Sequence, residues 1–192
     1  MVNYGVGNLY SLSQALRREN VETEIATRGR ALRDADAVVL PGVGGFQGAA
    51  SKLPRDEVLD LASGGKTIVG ICLGMQLFFG QSDEGAGRGL DLFPGRVKRL
   101  PDSVKVPQMG WNTLRVKRRT DLTDGVGDGS WVYFVHSYYP DTEGDWVQAT
   151  CDYGVEFPSL LEKGNIIGTQ FHPEKSGPTG ARILRNIIRM AR

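Results

Sequence analysis

The stretch Gly70-Ile71-Cys72-Leu73-Gly74 decides the fold, because it places a cysteine on a sharp turn between a strand and a helix. The run 67–71 is short, apolar and β-branched, which is typical of a strand buried on both faces, and 74–79 can continue as a helix. Small neighbours allow the tight turn, and a helix N-terminus favours the thiolate form of a cysteine. The pattern predicts a nucleophile elbow at Cys72, although a lone cysteine is more often a buried, inert residue.

A second motif, near the C-terminus, supplies a base for this cysteine. His172 and Glu174 stand two residues apart, where a predicted strand ends near His172. Residues two apart in an extended chain lean the same way, so Glu174 can hold one imidazole nitrogen while the other nitrogen faces the sulfur. Taken alone, His172 would be interpreted as a strand-end histidine paired with a carboxylate. Together with Cys72, the pair predicts a nucleophile, a base and an orienting carboxylate.

Composition excludes several classes of protein. The chain has 192 residues, a formal net charge of +1 and two cysteines, Cys72 and Cys151. This length suits a single domain, 1–192, and the near-neutral charge gives no electrostatic reason to expect nucleic acid or an anionic membrane as a partner. Two cysteines are too few for a secreted disulfide framework, and neither a signal peptide nor a membrane span is expected. We expect a cytoplasmic protein without a metal site or cofactor.

The spacing of apolar residues predicts an α/β fold. In the first half, short apolar runs alternate with helical patterns at Leu9 to Leu16 and at Phe46 to Leu61 apart from Pro54, which predicts a parallel sheet with crossover helices. A C-terminal amphipathic helix is expected from about Gly180. The second half has closely spaced strands and is expected to be antiparallel. These strands are predicted at 97–100, 113–116, 131–138, 146–150, 159–162 and 166–171.

Six strings, in this order along the chain, resemble the class I glutamine amidotransferases, and in particular the glutaminase subunits of imidazole glycerol phosphate synthase. The resemblance spans nearly the whole chain, and it implies a flavodoxin-like sheet, mostly parallel at first and antiparallel later, with helices on both faces. The elbow and His-Pro-Glu strings are shared across the superfamily, so they specify the chemistry only. The six strings occupy residues 4–9, 40–44, 72–79, 107–112, 133–138 and 171–176.

The resemblance implies hydrolysis of L-glutamine through a thioester on Cys72. Backbone N–H groups stabilise the tetrahedral oxyanions of such a reaction, and Leu73, just past the nucleophile, supplies one of them. The second is implied to come from the glycine-rich turn 41–45, at Val43 or Gly44. Flanking glycines make a peptide flip in this turn easy, although an ordinary strand-to-helix turn would also favour glycine.

The same resemblance implies the substrate contacts. Gln76, one helical turn after Cys72, and Glu84 are implied to read the charged ends of L-glutamine. Taken alone, Glu84 could equally be a solvated loop charge. The backbone of His136-Ser137-Tyr138 is implied to line the pocket. His136 could compete with His172 as the base, but a buried or strand-edge histidine is the favoured interpretation.

The implied partner is HisF, a (β/α)8 synthase (cyclase) subunit that would use the ammonia in a heterodimer to form imidazole glycerol phosphate and AICAR in histidine biosynthesis. Positions that match those facing this partner each have an ordinary alternative, namely a helix cap, the core, the pocket wall and solvent. In that order they are Asn8, Trp111, Tyr138 and Lys175.

Two departures from the family leave alternatives open. Only Met1-Val2-Asn3 precede Tyr4, where relatives carry a full buried strand, so a shortened first strand and an exposed ladder edge are expected. Gly45 stands where relatives often have a larger side chain. The alternatives are a glutaminase subunit of another amidotransferase, in the pyridoxal phosphate or purine pathways, and a non-catalytic regulatory subunit that retains the fold.

Overall fold

The computed structural model describes residues 1–5 and 9–191. Its centre is a six-stranded sheet in the order β1-β2-β10-β9-β8-β5, numbered along the chain. The first three strands in this order are parallel and the other three are added antiparallel. The strands of this sheet are β1 Ala37–Leu40, β2 Thr67–Ile71, β5 Arg115–Val116, β8 Val147–Asp152, β9 Glu156–Lys163 and β10 Ile166–Thr169.

Two antiparallel ribbons accompany the sheet. In the first, β3 Arg96–Arg99 pairs with β7 Tyr138–Asp141, and in the second, β4 Gln108–Thr113 pairs with β6 Trp131–His136. The second ribbon buries one face and exposes the other, because side chains alternate along a strand.

Helices cover both faces of the central sheet, so the predicted fold class is confirmed. Helices α1 and α6 contribute to the core on one face, and α2, α3 and α4 contribute to the core on the other. Ile68 of β2 joins one core and Val69 joins the other, which explains why this strand is a continuous apolar run. The helices are α1 Leu9–Arg18, α2 Arg30–Asp34, α3 Phe46–Lys52, α4 Arg55–Ser63, α5 Leu73–Gln76 and α6 Gly177–Met190, with a 3₁₀ helix at Pro173–Lys175.

Several predicted boundaries are wrong. The helical segment predicted from Phe46 to Leu61 is interrupted at Pro54 as expected, because proline lacks the N–H that a continuous helix requires, but its second part ends at Ser63 instead of Leu61. The helix after the elbow is one turn long, and the C-terminal helix begins at Gly177, with a proline in its first turn. The strand predicted at 131–138 divides at Ser137 into β6 and β7. The apolar spacing does not predict β4, because the sequence of this strand lacks a regular alternation.

Residues 1–3 follow an extended path beside the edge of the sheet. Val2 forms a parallel bridge with Ala26, and its N–H donates to the carbonyl of Val39 at 2.9 Å. A cavity of about 470 Å³ lies next to this segment, between β1, α1 and α6. The expected shortening of the first strand stays a prediction. No helix among the described residues is long and apolar enough to span a bilayer.

Close backbone packing fixes the turn between β2 and α5. A Cβ on Gly74 would lie 1.8 Å from the carbonyl oxygen of Leu40, and one on Gly70 would lie 2.6 Å from the carbonyl oxygen of Gly74. Any side chain at these two positions would therefore separate α5 from β1 and β2. The glycines of the elbow string are a steric requirement of this packing.

We expect Gly74→Ala to lower the free energy of unfolding by roughly 1–3 kcal/mol or more, as overpacked substitutions do. Gly48→Ala is the matched control, because Gly48 lies in α3 and a Cβ added there would have nothing within 4 Å. That variant should be neutral or up to about 1 kcal/mol more stable. Urea unfolding curves measure both, and equal stabilities would contradict the packing argument.

Candidate active site

Cys72 lies between β2 and α5 in a backbone conformation that non-glycine residues rarely adopt. Its φ is 54° and its ψ is −108°. Such a conformation costs about 1–3 kcal/mol and persists only where the surroundings hold it. Here the Cys72 N–H donates to the carbonyl of Thr169 at 2.6 Å. The close backbone packing at Gly70 and Gly74 also holds this turn in place.

The structure brings His172 and Glu174 together behind this cysteine. His172 Nδ1 donates to Glu174 Oε1 at 2.9 Å, and each side chain is 3% exposed. The extended path expected between them is wrong, because β10 ends at Thr169 and Glu174 lies in the 3₁₀ helix. The hydrogen bond expected from the spacing still forms, along a different backbone path.

Neighbouring strands fix the main chain of His172. Its N–H donates to the carbonyl of Tyr133 in β6 at 2.9 Å, and its carbonyl accepts from the hydroxyl of Ser176 at 2.6 Å. The same hydroxyl accepts from the Tyr133 N–H at 2.9 Å. The main chain of His172 is therefore held between β6 and the start of α6.

Burial and partner charges act on the pKa of His172 in opposite directions. Burial lowers the pKa, but the interactions with Cys72 and Glu174 outweigh it and raise the pKa to about 10. An imidazolium next to a cysteine favours the thiolate, which is the reactive form. Cys151 is different, because burial raises the pKa of its thiol to about 12.

A cavity of about 230 Å³ opens in front of the sulfur. It is lined by Cys72 and by every residue predicted for the oxyanion hole and for substrate binding. Those residues are Val43, Gly44, Leu73, Gln76, Glu84, His136, Ser137 and Tyr138.

The glycine-rich turn packs directly on the start of α5. A Cβ on Gly42 would lie 2.7 Å from the Leu73 Cβ, so the turn approaches the elbow as closely as a glycine allows. Gly44 has a φ of 127°, in the region that favours glycine. At the other end of the turn, the buried Tyr4 hydroxyl donates to the carbonyl of Pro41. The turn and Leu73 are thus held side by side at the cavity wall.

Glu84 is more than a solvated loop charge. Its Oε2 accepts from the N–H of Phe46, the first residue of α3, at 2.7 Å. Acidic groups are stabilised at a helix N-terminus, so this contact fixes the carboxylate at the cavity. It also joins Glu84 to the segment that directly follows the glycine-rich turn.

His136 is a buried histidine in the cavity wall. Its Nδ1 donates to the carbonyl of Tyr138 at 2.8 Å, and its ring packs against Phe134 and Phe157. Burial, assisted by the nearby His172, lowers its pKa to about 4. His136 is therefore neutral at physiological pH, as the favoured interpretation of a buried histidine expects.

Gln170 is a site residue that the sequence motifs did not predict. It is fully buried, its Nε2 lies 3.6 Å from the Cys72 sulfur, and its Oε1 accepts from Gln76 Nε2 at 3.1 Å. Gln170 stands two residues before His172, as Glu174 stands two after it. This equal spacing on either side of His172 is the sequence signal for Gln170.

Of the residues predicted for the partner interface, two lie on the protein surface and one lines the cavity. Asn8 lies outside the described residues, and Tyr138 lines the cavity. Trp111 is 53% exposed, so the alternative of a core tryptophan is wrong. Lys175 is exposed, with its Nζ 5.8 Å from the centre of the Tyr133 ring. Trp111 and Lys175 belong to a surface that we call the ribbon patch, which also contains the exposed side chains of Met109 and Trp131 and the half-buried ring of Tyr133.

The chain is similar to a known family over almost its whole length. The family model described as glutamine amidotransferase class-I matches residues 1–191. The chain belongs to this family. Within it, the imidazole glycerol phosphate synthase subunit HisH of Archaeoglobus fulgidus is 50% identical over 196 residues, covering 100% of this chain and 98% of that protein. The same subunit of Halobacterium salinarum is 50% identical over 200 residues, covering 98% and 91%.

Solved structures agree on the fold of this amidotransferase. The structure of PurLQS from Thermotoga maritima superposes with a TM-score of 0.77 and covers 98% of this chain and 95% of that chain. Its 22% sequence identity supports the fold alone. Among the described residues, no cluster of three or more His, Cys, Asp or Glu side chains could hold a metal ion.

We expect iodoacetamide to label Cys72 of this amidotransferase much faster than Cys151 at neutral pH, because only Cys72 has an imidazolium beside it. His172→Asn should slow the labelling of Cys72 by about tenfold or more, the equivalent of one unit of pKa. Mass spectrometry of the two peptides measures both rates, and Cys151 is the internal control. Equal labelling of the two cysteines would contradict the assigned environment of Cys72.

Proposed function

We propose that this chain is the glutaminase subunit of an imidazole glycerol phosphate synthase. It hydrolyses L-glutamine to glutamate and ammonia, and it passes the ammonia to a synthase subunit, HisF, for histidine biosynthesis in the cytoplasm. The observation that carries the proposal is that Cys72 lines the cavity and interacts with the buried His172–Glu174 pair, in a chain that is 50% identical to HisH subunits. Residues 1–192 act as a single amidotransferase domain.

The proposed reaction begins with the Cys72 thiolate, which attacks the side-chain amide carbon of glutamine. His172 holds the thiol proton and gives it to the departing ammonia, and Glu174 keeps the imidazole oriented through its bond to Nδ1. Water then attacks the thioester while His172 takes its proton, and glutamate leaves. The raised pKa of His172 supports this division, because the proton is already on the imidazole before ammonia departs.

The Leu73 N–H and an N–H of the turn at Val43 or Gly44 stabilise the oxyanions formed in both steps. The close approach of Gly42 to Leu73 supports this role, since it keeps the glycine-rich turn beside the start of α5 at the cavity wall. Such donors contribute about 3–4 kcal/mol each when they are preorganised.

Glu84 and Gln76 bind the amino-acid end of glutamine. The Glu84 carboxylate is an acceptor for the α-ammonium group, and its position is fixed by the N–H of Phe46. Gln76 uses its Nε2 on the carbonyl of Tyr138 at 2.8 Å and on Gln170 Oε1, so its Oε1 remains as the atom it offers to the substrate. Two acceptors at the cavity fit a ligand with a charged amino group.

The ribbon patch is the docking surface for HisF in the proposed heterodimer. Met109, Trp111 and Trp131 are each more than half exposed, and clusters of exposed apolar side chains mark interaction sites. Tyr133 belongs to the patch and also holds the main chain of His172, so the surface adjoins the catalytic segment. This adjacency supports delivery of ammonia to a subunit bound there.

We expect Cys72→Ala to abolish glutamine-dependent synthesis of imidazole glycerol phosphate by the complex with HisF, because no thioester can form. Synthesis from added ammonium salts should continue, since that reaction belongs to the partner. Cys151→Ala is the matched control and should retain both activities, because Cys151 is buried away from the cavity. Loss of both activities in Cys72→Ala would contradict the proposed division of labour. A stable wild-type complex without glutaminase activity would favour the non-catalytic alternative.

We expect Trp111→Ala to raise the dissociation constant for HisF by roughly 30-fold, the equivalent of about 2 kcal/mol for a central aromatic contact. Ile25→Ala is the matched control, because Ile25 is 51% exposed and lies outside the ribbon patch. Calorimetric titration measures both constants. Equal affinities for the two variants would contradict docking on this surface.

A further inference from the structure

Gln170 is a buried glutamine whose main chain and side chain both have hydrogen-bond partners. It directly follows β10, its N–H donates to the carbonyl of Ser159 at 2.9 Å, and its side chain is 0% exposed. Both ends of the buried amide contact residues of the cavity wall, Cys72 and Gln76. Burying a glutamine amide without hydrogen-bond partners costs free energy. Gln170 avoids this cost through its contacts with Cys72 and Gln76.

The nitrogen end of the amide faces the nucleophile. Gln170 Nε2 lies 3.6 Å from the Cys72 sulfur, and the sulfur lies 3.7 Å from the carbonyl oxygen of Val135. A thiol can donate to that carbonyl, but a thiolate has no proton to donate. When Cys72 ionises, the hydrogen bond from the Gln170 amide N–H to the sulfur therefore becomes stronger, because hydrogen bonds to charged acceptors are stronger than those to neutral ones.

The oxygen end of the amide controls Gln76. Gln76 Nε2 has two N–H groups, and their acceptors are Gln170 Oε1 at 3.1 Å and the carbonyl of Tyr138 at 2.8 Å. With both donors engaged, Gln76 can offer only its Oε1 to the cavity. Without Gln170, the Gln76 amide could turn and present its nitrogen, which would repel an ammonium group.

We propose that Gln170 is a positioning residue that stabilises the Cys72 thiolate through its amide nitrogen and fixes the orientation of Gln76 through its amide oxygen. The role at Gln76 rests on the proposed glutaminase function. The role at the Cys72 sulfur concerns the thiol alone and does not depend on turnover. A single buried amide thus couples the nucleophile to a substrate-binding side chain.

Two variants separate the two contacts. Gln170→Glu keeps an oxygen for Gln76 but replaces the donor facing the sulfur with a second carboxylate oxygen. Gln170→Met has a similar length and removes both hydrogen-bonding groups. Gln148→Met is the matched control, because Gln148 is also a buried glutamine, 4% exposed in β8, and its Nε2 donates to the carbonyl of Asp145.

The first measurement is the pH dependence of iodoacetamide labelling of Cys72, read by mass spectrometry on the full chain. We expect the midpoint of the labelling rate to rise by about one pH unit in both Gln170 variants, so that labelling is about tenfold slower at pH values well below the wild-type midpoint. Gln148→Met should match the wild type. An unchanged midpoint in Gln170→Met, or an equal rise in Gln148→Met, would overturn the role at the sulfur.

The second measurement is steady-state glutaminase kinetics in the complex with HisF. Gln170→Met should raise the KM for glutamine and lower kcat, whereas Gln170→Glu should lower kcat with little change in KM. Equal KM values for Gln170→Met and the wild type would overturn the role at Gln76. If the wild-type complex is inactive while the labelling midpoint moves as expected, the contact with the sulfur is supported and it is the proposed function that fails.

Discussion

The backbone of Cys72 is the constraint on which the rest of the site depends. Its positive φ is stable only because α5 can approach β1 and β2 without side chains at Gly70 and Gly74, and because Thr169 accepts its N–H. That approach places the sulfur at the carboxyl ends of the parallel strands β2 and β10. Gln170 directly follows β10 and His172 lies two residues further on, so the same strand pairing that holds the elbow also brings these two side chains to it.

The edge of β6 connects the catalytic segment with the exposed ribbon patch. Tyr133 accepts the N–H of His172 and donates its own N–H to Ser176, which in turn donates to the carbonyl of His172. The ring of the same tyrosine packs against Trp111 and lies under Lys175. A protein that covers the ribbon patch therefore contacts the residue that fixes the main chain of the base. β6 is thus linked to the main chain of His172 by one direct hydrogen bond and by a second path through the Ser176 hydroxyl.

Most of the correct predictions came from short sequence motifs whose residues are close together in the chain. Cys72 was predictable because its glycine neighbours are a steric requirement, and Glu174 because it stands within reach of His172 in either backbone path. Contacts between distant segments were not predictable in this way. Glu84 meets the N–H of Phe46 across 38 positions, and Gln170 meets Cys72 across 98. Such contacts depend on strand pairing and on the packing of α3, which the apolar spacing of a single sequence does not specify.

Both histidines of the chain lie at this site, and their surroundings give them opposite charge states. His136 is packed between Phe134 and Phe157, where burial and the neighbouring His172 lower its pKa to about 4. His172 has Glu174 on one side and Cys72 on the other, and its pKa is raised. The positive charge therefore stays on the residue that faces the sulfur. The neutral His136 donates to the carbonyl of Tyr138, the same carbonyl that holds Gln76, so it supports the cavity wall without competing for the thiol proton.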